Sequence, residues 1–143
     1  MIVKSILSAK GSQVVTIEPT ATLGEASKLL AQHRIGAVVV TGAGGRIVGI
    51  VSERDIVRAL AQHGANALAL PLNDVMTRKV VTCSGNETIA DLMEQMTGGK
   101  FRHLPVVEDD RLVGIISIGD VVKMRLQEME HEQNALRDYI QTA

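Results

Sequence analysis

The segment from Val15 to Val57 is repeated, with substitutions, from Val81 to Val122. This duplication constrains the fold more than any single motif, because the second copy must fold into whatever the first folds into, and function is to be sought where the copies meet. Thr16 matches Thr82, Leu23 matches Ile89 and Val40 matches Val106. After one residue is lost in a turn, Gly49 matches Gly114, Ser52 matches Ser117, Asp55 matches Asp120 and Val57 matches Val122. The offset of 66 residues between Thr16 and Thr82 exceeds the roughly 20–50 of solenoid repeats, so the chain reads as a duplicated small module and not an array. Ile6-Leu7 ahead of the first copy echo Val75-Met76 ahead of the second, which assigns each unit its own leading segment and divides the chain into residues 1–66 and 67–143.

A unit of this size buries too little surface to be stable alone, so the two copies are expected to share one core. Apolar residues make up 45% of the chain and aromatics 1%, which leaves Val, Ile, Leu, Ala and Met to fill that core. Phe101 and Tyr139 stand alone, so there is no aromatic platform on which nucleic-acid bases stack, and the net charge of -1 lacks the positive excess of a backbone binder. The first residues hold no signal-peptide core, and no stretch approaches the ~18 apolar residues of a membrane span. The expected setting is soluble and cytoplasmic, which the single cysteine, Cys83, also fits.

Each copy carries the same order of local signals. Short β-branched runs at Val14 to Ile17 and Val80 to Thr82 predict strands. Helices follow, with apolar residues at helical spacing (Leu23, Ala26, Leu29, Leu30; then Ile89, Leu92, Met93, Met96), opened by the capping pairs Thr22 with Glu25 and Thr88 with Asp91. Ala37 to Thr41 and Arg46 to Val51 predict a hairpin about Gly42-Ala43-Gly44-Gly45. Leu104 to Val107 and Leu112 to Ser117 predict its counterpart about Glu108-Asp109-Asp110, and the near-continuous apolar runs indicate strands covered on both faces. A second helix opens at Ser52 and at Ser117. The last one runs on toward Ile140, with Val122, Leu126, Met129, Leu136 and Ile140 as a stripe suited to cover its own domain or a sister subunit.

The sharpest local signal is Gly49-Ile50-Val51-Ser52-Glu53-Arg54-Asp55, matched by Gly114-Ile115-Ile116-Ser117-Ile118-Gly119-Asp120. Ser-x-x-Asp is in the first place a capping box, and a single instance needs no other explanation. Two instances after equivalent strand ends also place two helix N-termini, with their free amides and positive dipole, where an anion can sit. A carboxylate accepts hydrogen bonds only and so suits the paired hydroxyls of a ribose. Phosphate plus ribose is the chemistry this element favours.

The duplicated pattern, with Asp74-Val75-Met76-Thr77, Arg102-His103-Leu104-Pro105-Val106-Val107 and Gly114 to Val122, resembles the CBS-domain family, named after cystathionine β-synthase. The resemblance covers about Ile2 to Leu126, each copy resembling one CBS motif and the pair a Bateman module. It implies an α+β fold in which two strand-helix-strand-strand-helix motifs form a pseudo-twofold pair, followed here by a long C-terminal helix. It also implies two clefts that often hold adenine nucleotides, and a homodimer. Carried over by position, Asp55 and Asp120 would bind ribose, and Ser52 and Ser117 would sit near phosphate or ribose. Thr16, Ile17, Thr82 and Cys83 would line the adenine and phosphate ends, while Lys100, Arg102 and His103 would meet phosphate. Arg54 would add a charge-assisted contact. The positions matching Arg102 and His103 are Gly36 and Ala37, and Gly119 matches Arg54, so the two clefts are expected to differ in phosphate affinity.

The implied ligand is AMP, with ATP, NAD and other adenosyl compounds as alternatives, and the implied role is a regulatory module without chemistry of its own that reports occupancy to a protein partner. Its rivals are a ligand-free dimerisation or scaffold module, in which Ser-x-x-Asp is only a cap, and a hydrolase using Cys83 and His103. For the hydrolase, no orienting third residue or oxyanion hole is evident. The four histidines and Cys83 lack metal-ligand spacing, and the glycine-rich turn lacks the Gly-Lys-Ser/Thr of a phosphate loop.

Overall fold

A computed structural model of the chain describes residues 1–142. The elements run α1 (Val3–Lys10), β1 (Thr16–Ile17), α2 (Leu23–His33), β2 (Ala37–Thr41), β3 (Ile47–Ser52), α3 (Glu53–His63), a 3-10 segment (Gly64–Ala69) and α4 (Leu72–Val75). They continue with α5 (Ile89–Gly99), β4 (His103–Glu108), β5 (Arg111–Ser117) and α6 (Ile118–Thr142). The capping signals act where they were read. Thr22 and Ser52 form complete boxes with Glu25 and Asp55, and Thr88 accepts the amide of Asp91. Helices α2 and α5 both end on a left-handed residue, Arg34 and Lys100, which turns the chain sharply into the following strand. The two hairpins turn differently: Gly44 and Gly45 take positive φ in the first, Asp109 and Asp110 in the second.

The sheets are β1-β2-β3, with β1 parallel to β2 and β3 antiparallel, and the antiparallel pair β4-β5. The strand expected at Val80 to Thr82 is reduced to one parallel bridge, Cys83 with Val106. There the Cys83 amide donates to the Pro105 carbonyl and the Val107 amide to the Cys83 carbonyl. The next rung of that ladder needs an amide at Pro105, which proline does not have, so pairing stops. In the first copy Val39 stands at that place and β1 pairs with β2 at two positions.

The shared core expected from the sequence resolves into two clusters, and neither is made of one repeat. Leu23, Leu30, Val38, Val40 and Val51 of the first copy enclose Ala67, Leu72 and Met76, which lead into the second. Ile89, Leu92, Leu104 and Ile116 of the second copy enclose Val3 and Ile6, which lead into the first. Backbone bridges follow the same exchange, pairing Ile2 with Thr88 and Pro71 with Thr22. A leading segment thus precedes each unit in sequence but packs in the other. The repeated Gly49 and Gly114 mark the crossings: a Cβ on Gly49 would lie 2.5 Å from Met76 Sδ, and one on Gly114 would lie 2.5 Å from Leu7 Cδ2. Helix α6 leaves this body after about three turns, and every residue from Met129 to Thr142 is exposed.

Leu72 is fully buried although it lies between the repeats. Leu72→Ala is therefore expected to cost about 2–5 kcal/mol in urea unfolding, as for a core leucine. A cost below about 0.5 kcal/mol, the value for a surface connector, would contradict the exchange.

Candidate functional site

Helix α3 starts at the end of β3, and its box is built around a charge that has been taken out of water. Asp55 is 4% exposed. Its Oδ2 accepts from the Ser52 amide at 2.8 Å and the Ser52 hydroxyl at 3.1 Å, and its Oδ1 accepts from the Thr77 hydroxyl at 2.7 Å and from Arg58 Nη2. A carboxylate offers about four lone-pair sites, so Asp55 is saturated by the chain itself. A buried carboxylate is tolerated only when paired and hydrogen-bonded in this way. Thr77 is held in place by a two-way backbone bridge with Ile50, 2.9 Å in each direction.

Facing α3 is the connection from α5 to β4. The left-handed turn at Lys100 points its carbonyl at Arg54, whose Nη1 donates to it at 3.2 Å. Phe101 folds back over Gly99, where a Cβ would meet its ring at 2.1 Å. His103 crosses to Gly36 of the first copy, where a Cβ would lie 3.0 Å from Cε1. Gly36 matches Arg102 in the repeat, and its missing side chain makes room for the His103 imidazole of the other copy.

Between these walls lies a cleft of about 390 Å³, lined from both copies. Of the residues singled out in the sequence, Ser52, Arg54, Asp55, Lys100, Arg102 and His103 meet here. Arg58, Thr77, Lys79, Glu53 and Phe101 join them. Arg58 was not singled out in the sequence, although it lies one turn beyond Arg54; Thr77 closes the motif Asp74 to Thr77, and nothing local marks Lys79 or Phe101. Arg54, Arg58, Lys79, Lys100 and Arg102 give the lining five full positive charges against the two acids Glu53 and Asp55. Two of the positive side chains are already engaged, Arg58 by Asp55 and Arg54 by a carbonyl.

The remaining sequence candidates lie outside this cleft. Thr16 and Ile17 form β1, separated from β3 by β2. Thr82 is exposed beside Cys83, and Cys83 is buried in the second core. Burial, reinforced by the charge of Glu87, pushes its thiol up to about 12, which removes the thiolate that a nucleophile needs at neutral pH. Ser117 and Asp120 repeat the box at the start of α6, the Ser117 amide donating to Asp120 Oδ2 at 2.9 Å. Their other partner is Lys10, whose Nζ donates to the same Oδ2 at 2.7 Å and to the Ile115 carbonyl at 3.0 Å. No group of three or more His, Cys, Asp or Glu among the described residues is placed to hold a metal ion, and no helix there is long and apolar enough to cross a membrane.

A family model for the CBS domain matches residues 3–62 and 72–126. The chain is 35% identical over 124 residues to the Arabidopsis thaliana protein named CBS domain-containing protein CBSX3, mitochondrial, covering 84% of this chain and 60% of that one. It therefore spans less than two thirds of that relative's length. Among solved structures, the CBS-domain containing protein ATU1752 from Agrobacterium tumefaciens superposes with a TM-score of 0.85 at 54% identity, covering 87% of this chain and 92% of that chain. The CBS domain pair of protein MJ0100, in complex with 5'-methylthioadenosine and S-adenosyl-L-methionine, gives 0.80 at 29% identity over 90% and 98%. The CBS domain protein PAE2072 from Pyrobaculum aerophilum, complexed with AMP, gives 0.75 at 32% identity over 84% and 89%.

His103 reports on the junction between the copies. Burial lowers its pKa below the ordinary 6.5; Glu53 and Asp120 pull it back up, and Lys10 and Arg102 press it further down. The unfolded chain then binds the proton first. The His103 contribution to stability is present above pH 6.5 and is lost as pH falls through the folded pKa. Melting followed from pH 8 to pH 5 should show this loss, and His103→Gln should flatten that part of the profile. An unchanged profile in the variant would place the imidazole in solvent.

Proposed function

This chain belongs to the CBS-domain family as a tandem pair of its motifs, and from that premise we propose that it is a regulatory module that binds an adenine nucleotide in the Asp55 cleft. The observation that carries the reading is the convergence, on one 390 Å³ cleft, of a buried carboxylate at a helix start with cationic side chains from both copies. A ribose diol matches the carboxylate, and phosphate matches Arg102, Lys100 and Lys79. The AMP and S-adenosyl-L-methionine complexes of the related pairs support an adenosyl ligand. AMP fits the reading best, with ATP and NAD as longer-tailed alternatives. No chemistry is assigned to the cleft: its groups bind and neutralise, and none is an activated nucleophile.

Saturation of Asp55 dictates how binding proceeds. A diol reaches Oδ1 only if Thr77 or Arg58 lets go, and Arg58 is the one with an exposed side chain, on the helix that borders the cleft. The ribose replaces Arg58, and the freed guanidinium turns to the phosphate. Because the cleft walls come from both copies, a ligand that fits one relative orientation better shifts the population toward it, by about 1.4 kcal/mol for each tenfold preference. Helix α6 passes the change on. Its exposed Leu126, Met129, Leu136, Tyr139 and Ile140 are the surface for a sister subunit in a homodimer and for the regulated protein.

Isothermal calorimetry and melting with AMP, ATP and NAD test the reading. A nucleotide at a hundred times its Kd stabilises the fold by about 2.7 kcal/mol, roughly 8 °C for a chain of this size. Asp55→Ala is expected to weaken AMP at least tenfold. Arg102→Ala is expected to weaken AMP about tenfold while leaving adenosine within twofold, since only AMP carries the phosphate. No heat and no shift with any of the three would leave the two boxes as caps and the chain as a ligand-free scaffold.

A further inference from the structure

The two duplicated boxes are equivalent in sequence but have different third partners. At the first, Thr77 does two things: its amide donates to the carbonyl of Ile50, and its hydroxyl donates to Asp55 Oδ1. At the second, the matched carbonyl and carboxylate belong to Ile115 and Asp120, and one atom serves both: Lys10 Nζ, 3.0 Å from the Ile115 oxygen and 2.7 Å from Asp120 Oδ2.

The leading segments explain the difference. The sequence match that sets Leu7 against Met76 sets Lys10 against Lys79. In the second leading segment the short helix α4 ends at Val75, the chain extends, and Thr77 pairs with β3, so that Lys79 emerges in the lining of the open cleft. In the first leading segment α1 stays helical through Lys10 and carries its last side chain straight onto the acid. One lysine of the matched pair lines the Asp55 cleft, and the other, 35% exposed, is bonded directly to Asp120.

We propose that Lys10 is the specificity-determining residue of the pair: its ammonium occupies the acceptors that a ribose would take at Asp120, and so restricts the chain to one nucleotide, held at Asp55. The proposal rests on the reading of the Asp55 cleft as a nucleotide site. Burial by itself would raise the Asp120 pKa, yet hydrogen bonds from Lys10 and the Ser117 amide, with the Lys10 charge, hold it below the ordinary value, as a directly paired carboxylate requires. The two sites also resist a diol to different degrees. Arg58 is 53% exposed and its one recorded partner is Asp55, whereas Lys10 is 35% exposed and is held by both Asp120 and the Ile115 carbonyl. Displacing Lys10 takes away two hydrogen bonds and a charge pair at once, and leaves the Ile115 carbonyl without the donor it now has.

Calorimetric stoichiometry with AMP, and in parallel with ATP, tests this in the full chain. Wild type is expected to bind one equivalent. Lys10→Met keeps the apolar stem, removes the charge and is expected to bind two. Lys10→Met/Asp120→Ala is expected to return to one, and Lys10→Arg, which keeps a cation on the acid, to stay at one. Lys10→Gln repeats the measurement should Lys10→Met fail to fold. A folded Lys10→Met or Lys10→Gln that still binds one equivalent overturns the role of Lys10 and leaves the Asp55 site standing. Two equivalents in wild type overturn it equally. No binding in wild type or in any variant removes the nucleotide reading and this proposal with it.

Discussion

Everything else in this molecule depends on the exchange of leading segments between the repeats. Val3 and Ile6 complete the core of the second copy, and Leu72 and Met76 complete the core of the first, so neither half has a closed apolar interior without a piece of the other. A unit this small has little surplus burial to lose, which makes the exchange a condition of folding and not an ornament. It also fixes the junction. The crossings at Gly49 and Gly114 bring the incoming chain into direct contact with β3 and β5, one turn before the strands hand over to α3 and α6. The helix starts that carry Asp55 and Asp120 are therefore positioned by residues from both ends of the duplication.

That arrangement converts an energetic liability into a site. A buried carboxylate is costly unless every lone pair is met, and at Asp55 the partners come from the cap itself, from the next turn of α3 and from the exchanged segment. Of these partners Arg58 is the one with an exposed side chain, on the helix that borders the cleft. Asp55 is linked through the Thr77 hydroxyl and the Thr77–Ile50 bridge to the segment that closes the first core. The hydrogen bonds therefore run without a break from the cleft to a residue next to Met76 of the first core.

Much of this was legible in the residues. The duplication gave the order of elements, the capping pairs located the helix starts, and Ser-x-x-Asp pointed to the edge of the cleft. What escaped the sequence did so for identifiable reasons. Two cores built from the same Val, Ile and Leu are chemically alike, so hydrophobic pattern cannot say in which of them Val3 or Leu72 is buried. The strand expected at Val80 to Thr82 was lost to one missing amide on its neighbour, Pro105, a residue read only as part of β4. Thr16 and Ile17 match a family position, yet β2 separates them from the cleft in this arrangement. Lys10 and Asp120 are 110 residues apart, and no spacing rule reaches across that distance.

The asymmetry of the pair follows from where the copies were allowed to diverge. Residues that carry the fold stayed matched: the crossing glycines, the capping serines and aspartates, and the apolar strand positions. Residues facing the junction did not, and their changes are complementary. His103 takes the space left by Gly36, and the second box is met by the Lys10 ammonium where the first is met by the Thr77 hydroxyl. A symmetric junction would place two sets of arginines and two imidazoles against one another across the pseudo-twofold axis, where like charges repel in partly buried surroundings. In this chain Arg102 and Lys100 line the Asp55 cleft with Arg54, Arg58 and Lys79, while the second box is paired with the single cation Lys10.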